Sequence, residues 1–193
     1  MFKHFFNALD ILEKSGSVDS AFQYADTLES QWDHDDTMKK LAKYFARQGR
    51  ISETSRFTAA IRDQISHIHC LHEVARALRR KGYVDPGRRF LQDAYEKVGL
   101  LNADPMDTAV LFLVMSSELY DAGRAEEALT LLRRAMELAD AAPGSAGASK
   151  FIAGCSGQLA SWNHAEEAKR VAEAIPEKWF RDVALKRLDK SAS

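Results

Sequence analysis

Turn-forming and cross-linking residues are scarce in this chain, whose 193 residues include only 4 Pro, 10 Gly and 2 Cys. So few Gly and Pro disfavour an all-β domain, whose many short strands need frequent turns. The cysteines, Cys70 and Cys155, sit in apolar, helix-patterned stretches without the paired short spacing of a zinc knuckle or redox motif, and read as reduced core thiols. No segment approaches the ~20 apolar residues of a membrane span, and the start Met-Phe-Lys-His-Phe-Phe lacks the apolar stretch of a secretory signal, so a cytoplasmic protein is expected. An excess of either charge is also missing: 27 Lys+Arg face 28 Asp+Glu, which argues against a wholesale polyanion binder. Nucleophile elbow, phosphate-binding Gly-rich loop and paired-histidine metalloprotease motif are all absent, so the sequence points to no enzyme and no cofactor.

What is present is apolar material for one helical domain spanning residues 1–193, with 46% of residues hydrophobic. A turn recurs in KSGSVDSA, RQGRISET, RKGYVDPG, DAGRAEEA and ASWNHAEEA, with pivots Gly16, Gly49, Gly82, Gly123 and Asn163. Glycine, and asparagine after it, supplies the left-handed backbone that ends one helix before another begins. The first three pivots are 33 residues apart and the later ones 41 and 40, the period of a repeated helix pair. Apolar residues precede the pivots at matched offsets: Met38, Leu41, Ala42, Phe45; Leu71, Val74, Ala75, Leu78; Phe112, Met115, Ser116, Leu119; Ile152, Cys155, Ser156, Leu159. Ala or Ser at the third place lets two helices approach closely. After the pivots, Ala21/Ala25/Leu28, Ala128/Leu132/Ala135 and Ala168/Ala172/Ile175 repeat the same step.

These residues carry a resemblance to the tetratricopeptide repeat (TPR) family over nearly the whole chain, strongest from Leu111 to Pro143, where DAGRAEEALTLLRRAMELAD matches that family's turn and second helix. The chain departs from the pattern at Thr54 and Gly87, where Ala is usual, and in the family's Trp, Leu-Gly and Tyr of the first helix. The resemblance implies an all-α fold: a right-handed α-solenoid of about five antiparallel helix pairs (roughly 2–30, 35–64, 67–98, 105–141 and 147–175) plus a capping helix near 177–190 with a polar outer face at Lys186, Arg187, Asp189 and Lys190. Residues 142–147 form the linker candidate. Residues 102–105 form a helix entry, with Asp104 as N-cap and Pro105 first in the helix.

Smaller features have structural readings. Leu28/Trp32, Ile61/Ile65 and Ile175/Trp179 are i,i+4 pairs that would bury a stripe between units, with Trp32, Trp162 and Trp179 as packing residues. Asp33, Asp35 and Asp36 around His34 would favour a helix N-terminus through its dipole. Of His67, His69, Cys70 and His72, only two at a time share a helix face, which reads as plain surface rather than a metal site.

Charge is strongly segregated. Residues 39–89 hold 13 basic and 4 acidic residues, a net +9, whereas 1–38 and 90–142 are each −6 and 143–193 is +2. In a right-handed solenoid the first helix of each pair lines the concave face, so Lys39, Lys43 and Arg47 would join His69, His72, Arg76, Arg79 and Arg80 in one basic groove. Carboxylates or phosphates suit such a groove; the alternative is a solvated face neutralised by local acids. The family's carboxylate clamp also uses Asn, which these positions lack. Three functions follow: an interaction module binding an acidic or extended peptide, a helical-repeat RNA binder using the basic segment, or a self-assembling homo-oligomer pairing acidic with basic regions.

Overall fold

The computed structural model describes residues 3–101, 103–142 and 145–191. Asn102 of the helix entry and Pro143 and Gly144 of the linker candidate lie outside the described residues. Among them the chain is all-α, with eleven helices and no strand: α1 (Lys3–Ser15), α2 (Val18–Asp26), α3 (Gln31–Arg47), α4 (Ile51–Ala59), α5 (Gln64–Arg80), α6 (Val84–Gly99), α7 (Pro105–Asp121), α8 (Ala125–Ala141), α9 (Ser145–Ser161), α10 (Ala165–Glu173) and α11 (Lys178–Ser191). None is long and apolar enough to cross a membrane.

The five pivots all adopt positive φ: Gly16 at 66°, Gly49 at 72°, Gly82 at 86°, Gly123 at 80° and Asn163 at 64°. Four of these turns close with the same bond. The N–H after the pivot reaches back to a core residue, Arg50 to Phe45 (3.1 Å), Tyr83 to Leu78 (3.0 Å), Arg124 to Leu119 (2.9 Å) and His164 to Leu159 (3.0 Å). This six-to-one bond satisfies a carbonyl that the helix end would orphan. The next helix therefore starts without a side-chain cap, whereas α2, α3, α5 and α7 are capped by Ser17, Ser30, Asp63 and Asp104. Pro105 stands first in α7, with Asp104 accepting the Met106 N–H at 2.8 Å.

Residues 1–101 and 102–193 form two compact units. In the first, hairpins α1/α2, α3/α4 and α5/α6 pack side by side, α3 touching both α1 and α5. Met38, Leu41, Ala42 and Phe45 are fully buried, and Phe57 of α4 lies between Phe45, stacked at 5.3 Å, and Phe22 of α2 at 5.4 Å. Both departures from the expected Ala have a visible cause. The Thr54 hydroxyl is satisfied by donating to the Arg50 carbonyl at 2.7 Å. At Gly87 a β-carbon would come within 2.8 Å of Arg79 Cγ and 3.0 Å of the Ala75 carbonyl, so α6 approaches α5 too closely for any side chain.

In the second unit α7/α8 and α9/α10 are hairpins, and α11 packs on α9 and α10. Ser116 and Ser156, the small residues of the repeat, are buried, as are Ala128, Leu132, Ala135, Ala168, Ala172 and Ile175. Arg133 of α8 forms a two-pronged bond with Glu167 of α10, at 2.8 and 2.9 Å. Trp162 packs as expected, stacked on Tyr120 at 4.4 Å. Trp32 and Trp179 do not: they are 57% and 64% exposed, because each falls in the first turn of a new helix, beyond the stripe that Leu28 and Ile175 belong to. On α11, Lys186, Arg187, Asp189 and Lys190 are exposed.

Candidate functional site

The structure does not bring the eight groove positions to one place. Lys43 and Arg47 of α3 and Arg76 and Arg80 of α5 come together around a cleft of about 210 Å³, completed by Ala77, Lys81 and Glu73. That clustering follows from spacing: 43 and 47 are one turn apart on α3, 76 and 80 one turn apart on α5, and the two helices pack against each other. Lys39 lies apart, in a second crevice of about 360 Å³ shared with Gln31, Trp32, Asp35, Asp36, Asp63 and Ser66, where carboxylates outnumber it.

His72 and Arg79 are not groove residues. His72 is only 1% exposed, because its position falls on the buried side of α5 between Leu71 and Val74 rather than above it. The stem of Arg79 packs toward α6 at Gly87. His69 is half-buried, its ring 4.6 Å from that of His72 in an edge-on contact. Neither ring nitrogen of His72, nor Nδ1 of His69, has a hydrogen-bond partner among the described residues.

Glu73, which charge counting by segment passed over, organises the cleft. Its carboxylate is 3.0 Å from Lys43 Nζ and 3.9 Å from Arg76. Burial raises its pKa, but the Lys43 bond and charge and the neighbouring imidazoles outweigh that and hold the carboxyl below its usual range. The same surroundings act oppositely on the histidines. Burial, then Lys39 and Lys43, depress His69 despite Glu73; burial, His69, Arg76 and Lys43 push His72 down to about 3. Both rings are therefore neutral near neutral pH. Arg47, Arg80 and Lys81 are exposed and have no ion-pair partner among the described residues. The cleft is thus graded: an inner part in which Glu73 offsets Lys43 and Arg76, and a cationic outer part.

Asp35 also has a role that its dipole reading missed. It is 3% exposed and accepts the Arg62 N–H at 3.0 Å and the Asp63 N–H at 2.9 Å, tying α3 to the turn before α5. His34 Nδ1 adds a contact at 2.8 Å. Burial raises the Asp35 pKa, but these donors together hold it below its usual value. Of the acidic run, Asp33 is the residue in the first turn of α3. Cys70 is buried against Thr58, and burial pushes its thiol up to about 12. His67 points elsewhere, into a crevice of about 270 Å³ beside Lys97 and Leu100. Among the described residues no group of three or more His, Cys, Asp or Glu is placed to hold a metal ion.

No known protein family and no curated protein matches the chain. Among solved structures, it is similar to Ton1535 from Thermococcus onnurineus NA1, with a TM-score of 0.59 over 97% of this chain and 12% sequence identity. The chain spans 58% of the length of that protein. At this identity the likeness is one of fold alone.

Proposed function

We propose that this protein is a TPR-like interaction module, a right-handed α-solenoid of helix hairpins, that binds an acidic, extended segment of a partner protein in the cleft between α3 and α5. The observation that carries this reading is the convergence of five cationic side chains, four from two packed helices and Lys81 from the cap of α5, on one cleft holding a single carboxylate. Binding rather than catalysis fits the reactive groups nearby. The Cys70 thiol is buried and protonated, and the His72 nitrogens are out of a substrate's reach. Free, buried Cys70 and Cys155 suit a reducing compartment such as the cytoplasm.

The test is a charge reversal. Arg47→Glu with Arg80→Glu should leave melting unchanged, because both residues are exposed, and weaken binding of a fluorescent glutamate-bearing peptide more than tenfold at low salt. Each lost charge-assisted contact is worth about 1.5–3 kcal/mol. Arg88→Glu with Arg89→Glu changes net charge equally on α6, where Arg89 lines a different crevice with Ile51 and Phe90. It should have little effect. Equal losses would mean that long-range attraction drives association. Tighter binding of random-sequence RNA than of the peptide, with a steep salt slope, would replace the peptide reading by the nucleic-acid one. A mass rising with concentration in light scattering, abolished by the Arg47/Arg80 reversal, would favour self-assembly.

A further inference from the structure

We infer that Glu73 acts as a resident carboxylate that fills the inner half of the α3–α5 cleft, so that the site receives one carboxylate of its partner rather than a run of acids. The inference rests on the peptide-binding reading and assigns the ligand class of that site. Its basis is the gradient across the cleft. The inner pair is the more shielded, with Glu73 and Lys43 side chains 16% and 28% exposed and Arg76 40% exposed beside them. Glu73 sits one turn before Arg76 on the same helix and reaches Lys43 across to the neighbouring one, so it is already ordered by the fold. A second ligand carboxylate reaching for Lys43 would have to displace it. The displaced group stays tethered at high effective concentration, so the exchange gains almost nothing. The outer cations Arg47, Arg80 and Lys81 carry no such tenant, and they form the seat for the single incoming carboxylate.

The experiment compares two ten-residue Gly/Ser peptides, one with a single central Glu and one with a central Glu-Glu pair, by fluorescence anisotropy at low salt. The unmodified protein should bind them within about threefold of each other. Glu73→Gln removes the charge with little change of shape and opens Lys43; it should favour the paired peptide by about tenfold or more, the equivalent of one charge-assisted contact. Should Glu73→Gln fail to fold, the unmodified protein decides alone. The carboxyl-carbon resonance of Glu73 should stay in place when either peptide is bound to saturation. A tenfold preference of the unmodified protein for the paired peptide, a shift of the Glu73 resonance on binding it, or a folded Glu73→Gln variant with an unchanged ratio would each overturn the inference. These outcomes are separate from failure of the peptide reading, which would appear as undiminished binding of the single-Glu peptide by the Arg47→Glu/Arg80→Glu variant.

Discussion

Replacing His72 by leucine probes the buried side of α5 from inside. The imidazole is 1% exposed and both its nitrogens lack partners among the described residues. A buried polar group left unpaired costs about 1–3 kcal/mol, whereas an apolar side chain of similar size at the same place loses nothing. At pH 7, His72→Leu should therefore be at least as stable as the unmodified protein, with a gain of up to about 2 kcal/mol. The pH dependence is sharper. The groups acting on this ring are His69, Glu73 and Arg76 on its own helix and Lys43 on α3; burial, then His69 and the cations, hold its pKa at about 3, against 6.5 for an unperturbed histidine. Below pH 6.5 the unfolded chain binds a proton there that the folded chain refuses. The contribution of the neutral ring is therefore complete above pH 6.5 and is lost as pH falls from there toward 3. At pH 4 the loss is about 3 kcal/mol, two and a half pH units at ~1.36 kcal/mol each. Leucine takes up no proton, so the advantage of the variant should grow by about that amount between pH 7 and pH 4. Urea unfolding at the two pH values, analysed with a common slope, measures the difference. An advantage independent of pH, or a loss above about 2 kcal/mol at pH 7, would refute the picture of an orphaned, neutral imidazole.

Three further substitutions test the frame that holds the cleft. Gly49→Ala should cost more than Gly82→Ala in thermal melts: both place a β-carbon at positive φ, worth about 1 kcal/mol, but only at Gly49 would it collide with the Tyr83 ring. Equal shifts would show that the ring moves freely. Asp35→Ala should destabilise by about 2–4 kcal/mol at pH 7, since it strips the Arg62 and Asp63 N–H groups of their acceptor. That difference should shrink below about pH 4, because a carboxylate with a depressed pKa loses its contribution as pH falls through the folded value. A difference that persists undiminished well below that pH would show that charge on Asp35 is not what matters.

The helices were legible because their signals are local. A positive-φ pivot needs only one residue, and the bond made by the residue after it runs to a core residue four positions before the pivot, so Gly49 and Phe45, or Asn163 and Leu159, are visible together in a short window. The Ala and Ser of each pair are legible for the same reason: a helix hairpin repeats its close contact at a fixed offset from its turn. Trp32 and Trp179 misled because i,i+4 spacing assumes one continuous helix. Ser30 caps α3 between Leu28 and Trp32, and the turn before α11 separates Ile175 from Trp179, which resets the rotation of the helix face.

The cleft was legible only in outline, and the reason lies in how charge was read. Summed over residues 39–89, four acids against thirteen bases look negligible, yet one of the four occupies the position that matters most. Glu73 was available to a finer reading: 73, 76 and 80 step by three and four along α5, so the acid shares the stripe of the two arginines. The same stepping rule separates the arginines themselves. Arg79 follows Arg76 by three residues but leads toward Gly87, where the absence of a side chain on α6 admits its stem, whereas Arg80 remains over the cleft. Consecutive on α5, the two point about 100° apart, so the helix itself turns Arg79 away from the stripe of Arg76 and Arg80. The glycine on the neighbouring helix supplies the room for the stem so directed, a tertiary fact that becomes readable once Gly87 is understood as an opening rather than as a substitute for alanine. Net charge thus sets the sign of a surface, while one carboxylate and one missing β-carbon set which cations are left to act.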